Sequence, residues 1–358
     1  MRHLFGYFLL LSLPLAAQSG QEAEAGIDIR ATISGEGIYS RQLMESPRNG
    51  TALDGAFRAM VYPLIKLNRH WWLEGAVQFD SAPFFTADFN APGHSVTTQI
   101  LRASLGYKQT WNALALTVRA GQLGSVMGDF NLRYDDAVNP LIDMPILYGY
   151  YAKISPMGVA GVEADVTDRN WDAHAQFVNS SMMNPRSVFD RDQYGNWVGD
   201  VGYTILQGLR VGVSAGRGPY LDRHWPFYVR GEANPNVLPG GSAAADVEFG
   251  HGHWDVHGEW DWMPMSYHAI PFTRREGSYV EVKRGLAPRW YAAVRAGYLT
   301  MNRDLAESYE VAAGFRPNMH QIIKLSYEIQ HDDQSGQTNR AVMVQLVTTI
   351  HPLSLAWD

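Results

Sequence analysis

Apolar and polar side chains alternate with a period of two along much of this chain. In WDVHGEWDWM, Trp254, Val256, Gly258, Trp260 and Trp262 fall on one side, and Asp255, His257, Glu259 and Asp261 on the other. Successive side chains of a strand point to opposite faces, so this segment predicts a ribbon with one apolar and one charged face. Just before it, Ala245, Val247 and Phe249 oppose Asp246 and Glu248, and GHGH makes the tight reversal between the two. The same split separates Ile27, Ile29, Ala31 and Ile33 from Asp28, Arg30 and Thr32. It separates Trp71, Leu73, Val77 and Phe79 from Glu74, Gln78 and Asp80, and Leu114, Leu116, Val118 and Ala120 from Thr117 and Arg119. Near the end, Ile323, Leu325, Tyr327 and Ile329 oppose Lys324, Ser326, Glu328 and Gln330.

Read this way, the chain predicts about 16 strands, at roughly 27–36, 55–66, 70–80, 95–107, 112–122, 157–167, 170–179, 196–206, 208–217, 242–250, 253–263, 277–284, 289–300, 307–316, 320–331 and 339–350. Their connections alternate in length. Those at 66–69, 168–170, 207, 250–252, 285–288 and 317–319 are tight, whereas 37–54, 81–94, 123–156, 180–195, 218–241 and 264–276 are long. An even number of antiparallel strands, with short turns on one side and longer loops on the other, is the pattern of an outer-membrane barrel whose termini are periplasmic. Two-sided strands also build soluble sandwiches, so the connections and the tryptophans have to decide. Trp71, Trp111, Trp171, Trp254 and Trp290 sit at or just after short turns, in one layer, where an aromatic girdle would meet the membrane interface. Phe79, Phe177, Trp262, Tyr298 and Tyr309 fall near the opposite strand ends. The expected fold is all-β, a transmembrane antiparallel β-barrel formed as a single domain by residues 20–358.

Composition narrows the classes further. The opening MRHLFGYFLLLSLPLAAQSG sets Arg2 and His3 before an apolar run to Leu15, followed by the small residues Ala17 and Ser19, so 1–19 is expected to be a signal peptide. That run is shorter than the ~20 residues a spanning helix needs. No later segment offers ~18 consecutive apolar residues. The 358 residues include no cysteine, which excludes a disulfide scaffold. A net charge of −7 without long basic runs argues against nucleic acid as a partner.

After the fifth predicted strand the chain reads GQLGSVMGDFNLRYDDAVNPLIDMPILYGYY. This stretch resembles one that follows a mid-barrel strand in the phosphate-selective porin family and its 16-stranded relatives. There, a G-x-F or G-x-L strand end leads into an aromatic, acidic loop and a P-L-I-D-x-P segment. The resemblance implies an outer-membrane porin, a water-filled channel for passive diffusion of small hydrophilic solutes and ions, including anions such as phosphate. It also implies a third extracellular loop folded into the lumen, assembly as a homotrimer, and no enzymatic role.

A barrel of this size leaves an aqueous lumen, which the polar strand faces would line. Arg30, Arg58, Arg102 and Arg119 take the inward parity on the first, second, fourth and fifth strands. Glu163, Asp165, Asp172, Asp200, Asp246, Glu248, Asp255, Glu259 and Asp261 dominate the sixth through eleventh. A basic wall opposite an acidic wall would set up a transverse field that orients dipolar and charged solutes. The 123–156 connection exceeds the ~12–15 residues beyond which a structureless loop needs a reason. Folded inward, it would form a constriction in which Asp129, Asp135, Asp136 and Asp143, together with Arg133, face the arginine wall. A guanidinium suits that wall because it stays charged and binds carboxylate or phosphate through a fork.

His251, His253 and His257 are spread over a turn and a strand position, whereas a zinc site needs three or four converging ligands, so no metal or cofactor is expected. Two other classes stay open. A barrel-embedded enzyme would need a nucleophile, a base and an orienting group within reach of one another. A soluble secreted β-rich binding protein would lack the layer of tryptophans at the turns. The expected partners are outer-membrane lipid and small hydrophilic solutes or anions.

Overall fold

Each alternating segment forms a strand, and the strands pair in chain order into one closed barrel. A computed structural model describes residues 25–45, 50–89, 95–149, 157–179, 195–218, 240–267, 270–302 and 304–357. Among these residues the first eight strands are β1 (Ala25–Ser40), β2 (Leu53–Lys66), β3 (Trp71–Ala82), β4 (Ser95–Trp111), β5 (Leu114–Gly124), β6 (Met157–Asp168), β7 (Trp171–Val178) and β8 (Asn196–Leu206). The others are β9 (Leu209–Arg217), β10 (Gly241–His251), β11 (Trp254–Tyr267), β12 (Ile270–Ala287), β13 (Trp290–Met301), β14 (Asp304–Asn318), β15 (Gln321–Asp332) and β16 (Gln337–Trp357). The leader expected at 1–19, and all but the margins of the loops expected at 180–195 and 218–241, lie outside the described residues.

Closure pairs β1 with β16, Ala25 facing Trp357 and Ser40 facing Ala341, so both ends of the described chain lie at the short-turn side. A closed sheet leaves no unpaired edge, which is what lets strands cross hydrocarbon. The outward parity is apolar: Val118, Val166, Val201, Val213, Val280, Val294, Val311, Leu325, Val344 and Leu346 are all exposed. The predicted tryptophan layer is exposed on that face as well, at Trp71, Trp111, Trp171, Trp254 and Trp290. Aromatic pairs brace it. Trp171 stacks on Tyr203 at 4.5 Å between ring centroids, Trp290 on Phe315 at 4.5 Å, and the Arg284 guanidinium sits 4.7 Å over Trp254. The architecture is that of a transmembrane barrel, not of a sandwich.

One predicted loop is replaced by sheet. The 264–276 segment carries on the ladder, with Met263 opposite Arg275, Pro264 opposite Arg274 and Met265 opposite Thr273, followed by a register shift before Tyr267. Pro264 and the paired arginines look like loop composition, but the hydrogen-bonding capacity of neighbouring residues is met by the partner strand. Two short helices interrupt the connections, α1 (Arg41–Glu45) and α2 (Ile146–Gly149).

The interior is filled in part by protein. Residues 83–89 turn inward, with Phe84, Phe85 and Phe89 packed among Ile38, Leu43, Ala56, Ile142 and Met343. The long segment after β5 forms a second packed layer, in which Met127, Phe130, Ile146, Leu147 and Tyr148 meet Val198, Ala244, Met263, Tyr279 and Leu299 of the wall.

Candidate functional site

β5 ends at Gly124, and from Ser125 the chain enters the lumen rather than continuing to the rim. Gly128 makes the entry possible. Its φ of +75° is a conformation side chains rarely adopt, and a Cβ there would lie 2.1 Å from Glu259 Oε1. The loop is then tied to the wall almost all the way round. Gln176 Nε2 donates to the Gly124 carbonyl at 2.7 Å, and the Asp129 N–H donates to Glu259 Oε2 at 3.1 Å. Arg133 reaches Glu281 at 2.5 Å and the Tyr279 hydroxyl at 2.7 Å. Asp135 accepts from Thr32 at 2.9 Å and from the Tyr62 hydroxyl. Asp136 accepts from Ser34 at 2.6 Å and pairs with Arg58 at 2.8 Å. The Asp143 carboxylate accepts from Thr86, and the N–H groups of Ile142 and Asp143 donate to Glu310 at 3.0 and 3.3 Å. Lys324 Nζ donates to the carbonyls of Asp136, Asn139 and Leu141 at 2.7, 2.8 and 3.0 Å. A neutral hydrogen bond of this kind contributes about 0.5–1.5 kcal/mol net and one to a charged group about 1.5–3 kcal/mol, so together they hold the loop inside.

Two loop carboxyls show what this costs and gains. Burial raises Asp129, but Arg133 and the hydrogen bond from His257 outweigh it and bring the group down to about 2. Burial pushes Asp135 up, and the Tyr62 hydroxyl offsets this only in part.

The four arginines expected to face the loop do not act alike. Arg58 does face it, stacked 4.2 Å from the Tyr134 ring and bonded to Asp136. Arg30 stands toward the short-turn rim, opposite Tyr62 and paired with Asp28 at 3.1 Å. Arg119 turns to wall carboxylates instead, bridging Glu163 at 2.6 Å, Asp165, and Glu74 at 3.1 Å. Arg102 follows a bulge that turns Leu101 inward against Met60 and Ala76, and its Nε is buried without a hydrogen-bond partner. The expectation that the arginine wall faces the loop is therefore corrected: of the four, Arg58 alone pairs with a loop carboxylate among the described residues, because residues of equal parity on tilted strands stand at different heights.

All nine acidic positions take the inward parity. They are not a wall of bare carboxylates, however. Arg210 on β9 lies among them, contacting Asp172 at 2.5 Å, Asp246 at 2.8 Å, Asp200 at 3.3 Å and Glu248 at 3.4 Å. Glu259 accepts from the Tyr148 and Tyr279 hydroxyls, and Asp261 is buried beside it on the same strand face. His257 is bracketed by Asp129 at 3.0 Å and Asp255 at 3.1 Å.

Arg210, Arg295 and the inward aromatics of 83–89 escaped the sequence reading, which puts Lys324 on the polar face but gives it no role. The two-residue period does mark Arg210, which shares its parity with Gly212 and Ser214, and Lys324 carries the same signal. GVSAG at 212–216 matches the G-x-S-x-G pattern of hydrolases. Ser214, however, lies in mid-strand with the Gly128 N–H 3.4 Å from its oxygen, not on the strand-to-helix turn that exposes such a nucleophile.

Burial divides the charges into two sets. Arg58, Arg295 and Glu310, under the loop, keep 0–2% of their side-chain surface. Glu74, Arg119, Asp172, Arg210, Glu248 and Asp255 keep 19–31%. Water therefore reaches the wall from β3 to β11, on the short-turn side of the loop.

Several solved structures share this architecture. The outer membrane channel DcaP of Acinetobacter baumannii is 10% identical, with 92% of this chain and 99% of that one covered at a TM-score of 0.63. The anion-selective porin from Comamonas acidovorans is 10% identical, with 91% and 100% covered at 0.61. OmpT of Vibrio cholerae, folded in vitro in a trimer form, is 11% identical, with 91% and 100% covered at 0.57. No family model matches the chain, and no curated protein matches its sequence. The likeness is one of fold: a closed 16-stranded barrel of the outer-membrane porin kind.

Proposed function

We propose that this protein is an outer-membrane porin through which small hydrophilic solutes and ions diffuse passively. One observation carries the reading: a 16-stranded barrel with an apolar exterior holds an inner loop pinned across its lumen, while charged side chains on the short-turn side of that loop keep contact with water. The neighbouring folds support a channel in the outer membrane, and the trimer form of one of them supports assembly as a homotrimer.

The finer choice of solute follows from the charges that water reaches. Anion or phosphate selection would need guanidinium groups free to bind. Arg58 is buried against Asp136, Arg119 is shared by three carboxylates, and Arg210 stands alone among four. The β6–β11 wall is thus acidic in excess, which favours cations and solutes bearing a positive group. Reconstitution in a planar bilayer under a KCl gradient tests both levels. Stepwise conductance with a reversal potential on the potassium side is expected. Absence of conductance steps would refute the porin reading, and a reversal potential on the chloride side would refute cation preference alone.

A further inference from the structure

The chain contains the pattern W-D-x-H twice, WDAH at 171–174 and WDVH at 254–257. Each copy follows a short turn directly and begins a strand, β7 in one case and β11 in the other. Period two sends the tryptophan outward to the girdle and both aspartate and histidine into the lumen. The pairing then repeats. His174 is opposite Asp165 on β6 and Asp200 on β8, and His257 is opposite Glu248 on β10 and Glu281 on β12. Each imidazole is therefore set among carboxylates on both neighbouring strands and its own.

The ring nitrogens are used in the same way in both places. His174 Nδ1 lies 2.7 Å from Asp165, and Nε2 lies 3.7 Å from Asp172. His257 Nε2 lies 3.1 Å from Asp255, and Nδ1 lies 3.0 Å from Asp129 of the inner loop. A neutral imidazole has one N–H, so a carboxylate on one nitrogen fixes the tautomer and leaves a lone pair on the other. That lone pair also faces a carboxylate, and the two acceptors stay together only with a second proton on the ring or a metal cation between them. A carboxylate behind the ring is the usual outer support of a metal-bound histidine. Ligands ~2.1 Å from a tetrahedral ion stand about 3.4 Å apart. The 3.7 Å separation at His174 is too long for a hydrogen bond and close to that spacing. In each cluster three residues bring ligand atoms within 4.8 Å of one another: Asp172, His174 and Asp200 in the first, and Asp129, Glu248 and His257 in the second.

We propose that the two W-D-x-H segments build a pair of sites for divalent first-row transition cations, of the Zn²⁺ kind, in the periplasmic vestibule. Mixed imidazole and carboxylate ligands select such ions over Mg²⁺ and Ca²⁺, which take oxygen alone. Arg210 contacts both clusters and Arg133 pairs with Asp129 at 3.3 Å, but two guanidinium groups among Asp129, Asp172, Asp200, Asp246 and Glu248 leave negative charge for a dication to neutralise. The sites are reachable, since His174 and Glu248 each keep 31% of their side-chain surface. The second site would tie the inner loop to β10 and β11 through Asp129. Neither site depends on which solutes the lumen passes.

The test uses the full chain without an affinity tag, folded in detergent micelles and titrated calorimetrically with ZnCl₂. Two ions are expected per wild-type chain, one for His174→Gln or His257→Gln, and none for the double variant. MgCl₂ in tenfold excess should not displace zinc. CoCl₂ should give the visible absorption of nitrogen-ligated tetrahedral cobalt. Folding of each variant is checked by its mobility on an unheated gel, and Asp200→Asn and Glu248→Gln replace a histidine variant that does not fold. Equal zinc binding by wild type and double variant would overturn the proposal, as would displacement by magnesium or a wild type that leaves cobalt colourless.

Discussion

Arg58 and Arg119 share an inward parity, yet their surroundings give them different work. Arg58 is wholly buried, with Asp136 as its carboxylate partner and Tyr134, Phe85 and Phe84 around its plane. Removing one member of a buried pair strands the other charge, at a cost of about 3–5 kcal/mol. Arg58→Ala should therefore destabilise the barrel by about that amount in denaturant titrations, whereas Arg119→Ala, where water still reaches the pair, should cost less. Asp135 offers a contrast. Burial holds its folded carboxyl above the ordinary value of about 3.9, so the folded chain takes up a proton before the unfolded chain does. Stability from this group accordingly rises as pH falls through the folded value, and it is fully present below the unfolded one. Asp135→Asn keeps an oxygen for Tyr62 and Thr32, turns its NH₂ toward the Ala137 N–H, and serves as a reference that does not titrate. Wild type should gain on the variant as pH falls to 4, and an unchanged difference would contradict the assignment.

At the scale of elements, parity was the legible quantity. A strand buried on one face has to keep its period, so Val118 against Thr117 and Leu325 against Lys324 could be sorted to lipid and lumen without coordinates. A midplane arginine on the lipid face costs about 2–4 kcal/mol. Val118→Arg and Leu325→Arg should impair assembly, while Thr117→Arg, half-buried on the lumen side opposite Asp165, should be milder; equal assembly yields on unheated gels would mean the faces are misassigned. Height was not legible, because tilt and register come from pairing along the whole sheet, and a bulge such as that at Leu101 resets a strand. That is why four arginines of one parity did not form one ring. Inward loops were legible only in part. The acidic 123–156 segment announced itself by length and charge, whereas 83–89 hid its Phe84–Phe85–Phe89 cluster in a long connection whose aromatics carry no two-residue period. At 264–276 the loop-like composition concealed a hairpin arm.

For the whole molecule, the decisive relation is between the inner loop and the wall it leaves uncovered. The loop's anchors run from Thr32 on β1 round to Lys324 on β15, so it divides the lumen and does not merely cap it. Charges act strongly on a passing ion only within a screening length, about 10 Å at 0.1 M salt and 3 Å at 1 M. The water-contacting carboxylates Asp172 and Glu248 lie on the uncovered wall, and Arg210 touches both. Neutralising them together, as Asp172→Asn with Glu248→Gln, should move the reversal potential toward chloride at 0.1 M KCl in the presence of EDTA, with a much smaller shift at 1 M. The same pair of substitutions should leave conductance at 1 M near the wild-type value, since neither shortens the loop. Deleting 128–137 should do the opposite. It removes the segment that carries Asp129, Arg133, Asp135 and Asp136 to the wall, so conductance should rise at every salt concentration and selectivity should weaken. If the deletion leaves conductance unchanged, the narrowest level does not lie at this loop. A charge-neutral pair with unaltered selectivity would likewise mean that ions pass by another part of the wall.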